Sequence, residues 1–178
     1  TTQDANSISA DPLFNSTTNL QPQLGPPLLA VGTPISGITI DYSGTSRSGT
    51  TPSIGAYEVG VDVTGPAISY TLLGNTFTGA SRLFSNVTVT DASGVNGTSG
   101  TRPRVYYRIS TNADTYVGNT STDNGWKWVE ASGSSSPFDF TIDYSLLYPT
   151  GAVTTGDVIK YFVVAQDNAG TPNVSINS

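Results

Sequence analysis

Over the second two-thirds of the chain, apolar and polar side chains alternate with the two-residue period of half-buried strands, in runs covering positions 67–73, 82–90, 104–110, 126–130, 138–144 and 158–165. Within these runs Val105, Tyr107 and Ile109 fall on one face, as do Phe138, Phe140 and Ile142, and likewise Ile159, Tyr161, Val163 and Ala165. Two sheets can bury such rows against each other, and six or seven strands over about 110 residues is the content of a β-sandwich. The large rings of Trp126, Trp128 and Tyr161 are expected to add core volume, and residues 171–178 to add an edge strand or lead onward.

The first 60 residues have a different texture. Short apolar patches at Leu13-Phe14, 28–31, Ile35, 38–40 and 54–59 are separated by Gly, Pro and Asn, and none is long enough for a helix. Short strands joined by turns, as in the coils of a solenoid, fit this spacing. One or two coils cannot bury a core unaided, so further structure is expected to stack upstream of residue 1. Between the two textures, 61–66 (Val-Asp-Val-Thr-Gly-Pro) reads as a hinge. The predicted organisation is therefore 1–60, hinge 61–66 and sandwich 67–178.

Composition narrows the chemistry. The 178 residues include no Cys, Met or His, which removes thiol catalysis, disulfides and the commonest transition-metal ligands. Only 11% of residues are charged, against 19 Gly and 11 Pro, so helix content should be very low. A net charge of −6 with scattered basic residues offers no phosphate-tracking surface, and nucleic acid is not an expected partner. The longest apolar run, 158–165, is far short of the ~20 residues that span a bilayer, so no membrane insertion is expected. No signal-peptide pattern opens the chain, and the expectation is a processed, soluble product.

In the N-terminal part, the runs SISADPLF, LQPQLGPPLLAVGTPISGI, DYSGTSRSG and PSIGAYEVG resemble the closing segment of extracellular right-handed parallel β-helix proteins of Bacteroidota-type bacteria. The chain departs from the family pattern at Gly25-Pro26-Pro27-Leu28-Leu29, where Gly-Ser-Pro-Ala-Ile is usual, and at Ser53, where Asp is usual. The resemblance implies a surface protein whose last rungs lie here. Asp11, Asp41, Arg47 and Glu58 are read as satisfying turn backbone, with one Arg–carboxylate pair closing the coil. In the C-terminal part, VTVTDASGV, RVYYRIS and VIKYFVVAQDNAG resemble bacterial immunoglobulin-like and fibronectin type III-like modules, which implies a spacer, adhesin or binding role.

Three constellations bear on chemistry. Paired carboxylates could serve glycoside hydrolysis or uronate elimination, but β-helix enzymes of that kind work along their middle coils, so no catalytic residue is expected here. Asp62 in the hinge, Asp91 at a strand end and Asp167-Asn168 in the last turn could converge as an oxygen-only Ca²⁺ site, although Asx residues at strand ends more often cap turns. Trp126 and Trp128 share one side of a strand, with Tyr106 or Tyr107 near them. They could stack on sugars, the structural alternative being a core pair. Asn-x-Ser/Thr triplets at Asn15, Asn86, Asn96, Asn119 and Asn173 are frequent by chance in this composition, and Asp114-Thr115-Tyr116 approximates the O-glycosylation pattern of the same bacterial group.

The sequence thus predicts an all-β chain, the terminal coil or coils of a right-handed parallel β-helix followed by an Ig-like β-sandwich. Its expected role is as a non-catalytic structural or adhesive segment, extracellular or on the outer cell surface. The partners expected are upstream β-helix coils or neighbouring subunits, and glycans. Two rivals are a protomer of an extracellular filament completed by its neighbours, and the C-terminal part of a polysaccharide-processing β-helix enzyme with its active site upstream.

Overall fold

A computed structural model describes residues 8–23, 25–60 and 62–177. Positions 1–7, Leu24, Val61 of the predicted hinge and Ser178 lie outside the described residues. The chain is all-β with antiparallel sheets, and divides into two compact units, Thr1–Val63 and Thr64–Ser178, with the boundary inside the predicted hinge.

The C-terminal unit contains strands β1 (Ala67–Ser69), β2 (Arg82–Thr90), β3 (Arg104–Ile109), β4 (Lys127–Glu130), β5 (Phe138–Ile142), β6 (Ile159–Gln166) and β7 (Val174–Asn177). They form a three-stranded sheet of order β1-β2-β5 and a four-stranded sheet of order β4-β3-β6-β7, antiparallel throughout. One core lies between them. Phe84, Val87, Val89, Phe138, Phe140 and Ile142 enter it from the first sheet, and Val105, Tyr107, Ile109, Val163 and Ala165 from the second. Each buried aliphatic or aromatic side chain contributes about 1.5–3 kcal/mol, and this core stabilises the unit without a covalent cross-link.

Three details depart from the sequence reading. The predicted strand 138–144 stops at Ile142, because the Asp143 carboxylate accepts the Ser145 N–H (2.9 Å) and caps a 3₁₀ turn at Tyr144–Leu146. The predicted strand 67–73 stops at Ser69. Beyond it the Tyr70 ring packs edge-on against Phe84, its hydroxyl donates to Asn177 O (2.9 Å), and the Leu73 N–H donates to the Tyr161 hydroxyl (2.7 Å). Trp126 and Trp128 are not in the core. Lys127 lies inward between them, fully buried, and both indoles face the other way. Residues 174–177 add the edge strand beside β6.

The N-terminal unit is built differently. No described residue in it belongs to a strand; two isolated antiparallel bridges, Phe14 with Pro22 and Ile40 with Ser46, punctuate a series of turns. Its order comes from polar groups. Asp41 accepts hydrogen bonds from the Ser43 N–H and hydroxyl, the Thr45 N–H and the Glu58 N–H, each at 2.8 Å. The Glu58 carboxylate accepts the Ser48 and Ser53 N–H groups and lies 3.8 Å from Arg47, whose guanidinium donates to Ser53 O and Gly55 O. Asp11 caps its own turn at the Leu13 N–H. At Gly32 the N–H donates to Pro52 O at 2.7 Å, and an added Cβ would stand 2.7 Å from the same oxygen, so only glycine fits.

Among the described residues of this unit no Val, Ile, Leu, Phe or Tyr is buried. Ile35 (71% exposed), Ile38, Ile40 and Tyr42 (82%) lie open instead.

Candidate functional site

The acidic residues singled out from the sequence fall into turns that the strand ends create. After β2 the chain turns on Asp91, whose carboxylate accepts the Ser93 N–H (2.8 Å), with Gly94 at φ +82 completing the reversal. Asp167 follows β6 and is fully buried. One of its oxygens accepts the Ala169 and Asn173 N–H groups, at 3.2 and 2.8 Å, and the other the Asn173 side-chain amide at 2.8 Å. Within the C-terminal unit, one carboxylate oxygen each from Asp91 and Asp167 lies within 4.8 Å of the other. Two of the four predicted Ca²⁺ ligands are therefore brought together, while the predicted Asp62 belongs to the N-terminal unit. The fourth, Asn168, is exposed and spends its amide N–H₂ on Val95 O (3.2 Å), tying the last turn to the loop after β2. Asp91 and Asp167 serve as turn acceptors here whether or not a cation is bound.

The indoles belong to a second constellation, on the outward face of the four-stranded sheet. The register Tyr106↔Trp128 and Tyr106↔Phe162 sets three rings side by side across β4, β3 and β6, and Trp126 joins them just ahead of β4. Tyr106 and Phe162 stack with centroids 5.2 Å apart and planes 7° from parallel, and Trp126 meets Phe162 edge-on at 4.8 Å. Arginines from β3 cover the indoles: the Arg104 guanidinium carbon lies 3.9 Å from the Trp128 ring centre, and that of Arg108 lies 4.8 Å from Trp126.

Both indole N–H groups are engaged. Trp128 donates to the Tyr116 hydroxyl (3.0 Å) and Trp126 to Asp114 (2.7 Å), so the 111–125 loop is stapled over this face. Arg108 adds donations to Ser110 O (2.9 Å) and Asn112 O (2.7 Å), and Arg104 pairs with Glu130 at 3.2 Å. From the inner side, the buried Lys127 ammonium donates to Gly118 O and Asp123 O of the same loop. Burial lowers its pKa, and the neighbouring Asp123 charge works against that shift.

Chemically, each indole has a guanidinium against its ring and retains partial exposure. This organisation immobilises a loop first; sugar stacking would have to use the remaining edges. The two tryptophans do share one side of the strand with Tyr106, as the alternation implied, while Tyr107 is on the opposite, buried face. The outward assignment was readable from one signal. Arg104, Tyr106 and Arg108 alternate with the apolar Val105, Tyr107 and Ile109, and the indoles pair with the first set.

No family model, curated protein or solved structure matches this chain. Its role must be argued from its own side chains. Among the described residues the charged groups in turns and loops are largely bound into backbone turns or arginine–aromatic contacts, and no helix is long and apolar enough to cross a membrane.

Proposed function

We propose that this chain is a non-catalytic structural and adhesive segment of an extracellular bacterial surface protein, its N-terminal unit the closing part of a right-handed parallel β-helix and its C-terminal unit an Ig-like module. The observation that carries the reading is the N-terminal unit's open apolar surface. A unit that buries polar turn networks and leaves Ile35, Ile38, Ile40 and Tyr42 in water lacks the core a free-standing domain needs. It suits a terminal rung covered by a preceding rung. The strand order supports the module reading: β1-β2-β5 corresponds to strands A, B and E of an Ig-like sandwich, and β3, β6 and β7 to C, F and G, with β4 added beside C.

The test compares this chain with a polypeptide extended upstream through the preceding rungs, by limited proteolysis and by binding of a hydrophobic dye. In the shorter chain, segment 8–60 should be cleaved first and should bind dye, and both signals should fall in the extended one. A shorter chain that is monomeric, dye-negative and resistant to cleavage across 8–60 would overturn the proposal. If protection appears instead as its own concentration rises, with assembly visible by light scattering, the cover is a neighbouring subunit and the filament reading takes over.

A further inference from the structure

At one end of the sandwich the two sheets part around a cavity of about 710 Å³, between the loop 73–79 that follows β1 and the loop 153–158 that leads into β6. It lies wholly within the C-terminal unit and is independent of the β-helix reading. Its floor is the end of the core, with Ile142, Tyr144, Ile159 and Tyr161, and its walls mix polar groups such as Thr76, Thr78 and Asp157 with a few apolar side chains. We infer that this cleft is a binding site for a neutral oligosaccharide, distinct from the indole face.

Five observations carry the inference. The volume falls in the range of pockets that enclose small ligands, about 300–1,000 Å³. Phe77 stands on the rim with its ring fully exposed, a flat apolar surface of the kind that packs against the C–H face of a pyranose.

The wall hydroxyls and amides are those that complement sugar hydroxyls. The Thr76 and Thr78 hydroxyl oxygens each accept one backbone N–H, from Thr78 (3.3 Å) and Ala80 (3.1 Å), which fixes the side chains while leaving each hydroxyl proton to donate. Asp157 accepts the Thr154 N–H (2.7 Å) and hydroxyl (3.0 Å) on one oxygen, leaving the second for a ligand hydroxyl. The cleft's charge is balanced: Arg82, held by donation to Gly74 O (2.6 Å), faces the same space as Asp157, in a chain of net charge −6. Such a surface repels a polyanion and suits an uncharged, hydroxyl-rich ligand. Tyr161 ties floor to wall, because its hydroxyl accepts the Leu73 N–H (2.7 Å), so part of the cleft is formed in advance.

The experiment is titration calorimetry of the chain against cellohexaose, xylohexaose and mannohexaose, with hexagalacturonate as the charged counter-probe. At least one neutral hexaose should bind. Phe77→Ala and Asp157→Asn should each weaken it about three- to tenfold, without moving the thermal midpoint, since both side chains are exposed. Trp128→Ala should leave the affinity unchanged. The inference is overturned if no neutral hexaose binds, if only hexagalacturonate binds, or if binding survives Phe77→Ala together with Asp157→Asn. Loss in Trp128→Ala alone would also overturn it, placing the site on the indole face.

Discussion

Tyr107 gives the sharpest handle on what holds the C-terminal unit. Its ring is completely buried between the sheets, and its hydroxyl donates to the backbone carbonyl of Asp143 at 2.7 Å, the residue that caps the 3₁₀ turn. Tyr107→Phe keeps the ring, opens almost no cavity and leaves that carbonyl with the longer Leu146 N–H contact (3.2 Å) alone. The acceptor keeps one partner, so the loss is that of a single net hydrogen bond, about 0.5–1.5 kcal/mol at pH 7. That corresponds to a fall of roughly 2–8 °C in Tm for a unit of this size.

The pH dependence is the stricter test. Burial, and after it the Asp143 charge, raises the phenol pKa above its ordinary 10.0. A group whose folded pKa is raised contributes stability that is fully present below its unfolded pKa and is lost as pH climbs from there through the folded value. The wild-type protein therefore loses up to about 1.4 kcal/mol per pH unit above 10 through this group, and the Phe variant does not. Tyr70, also raised by burial, is present in both proteins and cancels in the difference. In urea unfolding followed by tryptophan fluorescence from pH 7 to 11, the gap between the two should be flat up to about pH 9.5 and then close. A gap that stayed constant to pH 11, or a variant as stable as wild type at pH 7, would refute the reasoning.

Two other perturbations read different parts of the molecule. Lys127→Met, which keeps length while removing the ammonium, should cost about 1–3 kcal/mol at neutral pH by orphaning Gly118 O and Asp123 O. It should also speed amide exchange across 114–123, whereas an unchanged unfolding midpoint would mean that relief from burying the charge offsets both lost hydrogen bonds. In the N-terminal unit, burial pushes the Asp41 carboxyl up, but hydrogen bonds from Glu58, Ser43 and Thr45 outweigh it and bring the pKa down to about 2. A depressed carboxylate contributes stability that is present above the unfolded value of 3.8 and lost as pH falls towards 2. The amide signals of Ser43, Thr45 and Glu58 should accordingly broaden or shift within that window, and in Asp41→Asn they should be perturbed already at pH 6 and lack this transition.

The sandwich was legible because strict alternation leaves little choice of register. Phe138, Phe140 and Ile142 can be buried together only if Asp139 and Thr141 face out, and they do. The β4 segment misled, since a lysine flanked by two tryptophans reads as an outward charge between inward rings. The structure inverts it because the 111–125 loop folds back and offers two carbonyls to an inward ammonium, a long-range arrangement with no local signature. The proximity of Asp91 and Asp167 was legible from aspartates placed at strand ends. The cleft was not, because its walls come from two loops some 75 residues apart with the same Thr, Asn and Gly composition as every other turn. In the N-terminal unit, the satisfaction of turns by Asp41, Arg47 and Glu58 followed from residue type alone, while the pairing of its segments depends on partners beyond any single patch.

The two units embody opposite solutions to the same free-energy problem, and that contrast points outward from the chain. Fixing a residue's backbone costs about 1–2 kcal/mol, whereas an intramolecular hydrogen bond returns a net of about 1 kcal/mol because water offers the same groups comparable bonds. A turn network such as that around Asp41 can therefore specify which conformation is adopted without supplying the free energy to hold it. In the C-terminal unit that free energy comes from apolar burial between the sheets. In the N-terminal unit the corresponding apolar groups exist, as Ile35, Ile38, Ile40 and Tyr42, but they face solvent. Covering them would convert a specified conformation into a stable one. Ile38→Asp should thus leave the unfolding of the C-terminal unit untouched while abolishing the protection of segment 8–60 that the proposed upstream rungs would confer. If that protection persisted with a carboxylate at position 38, the cover would have to lie elsewhere than on this face.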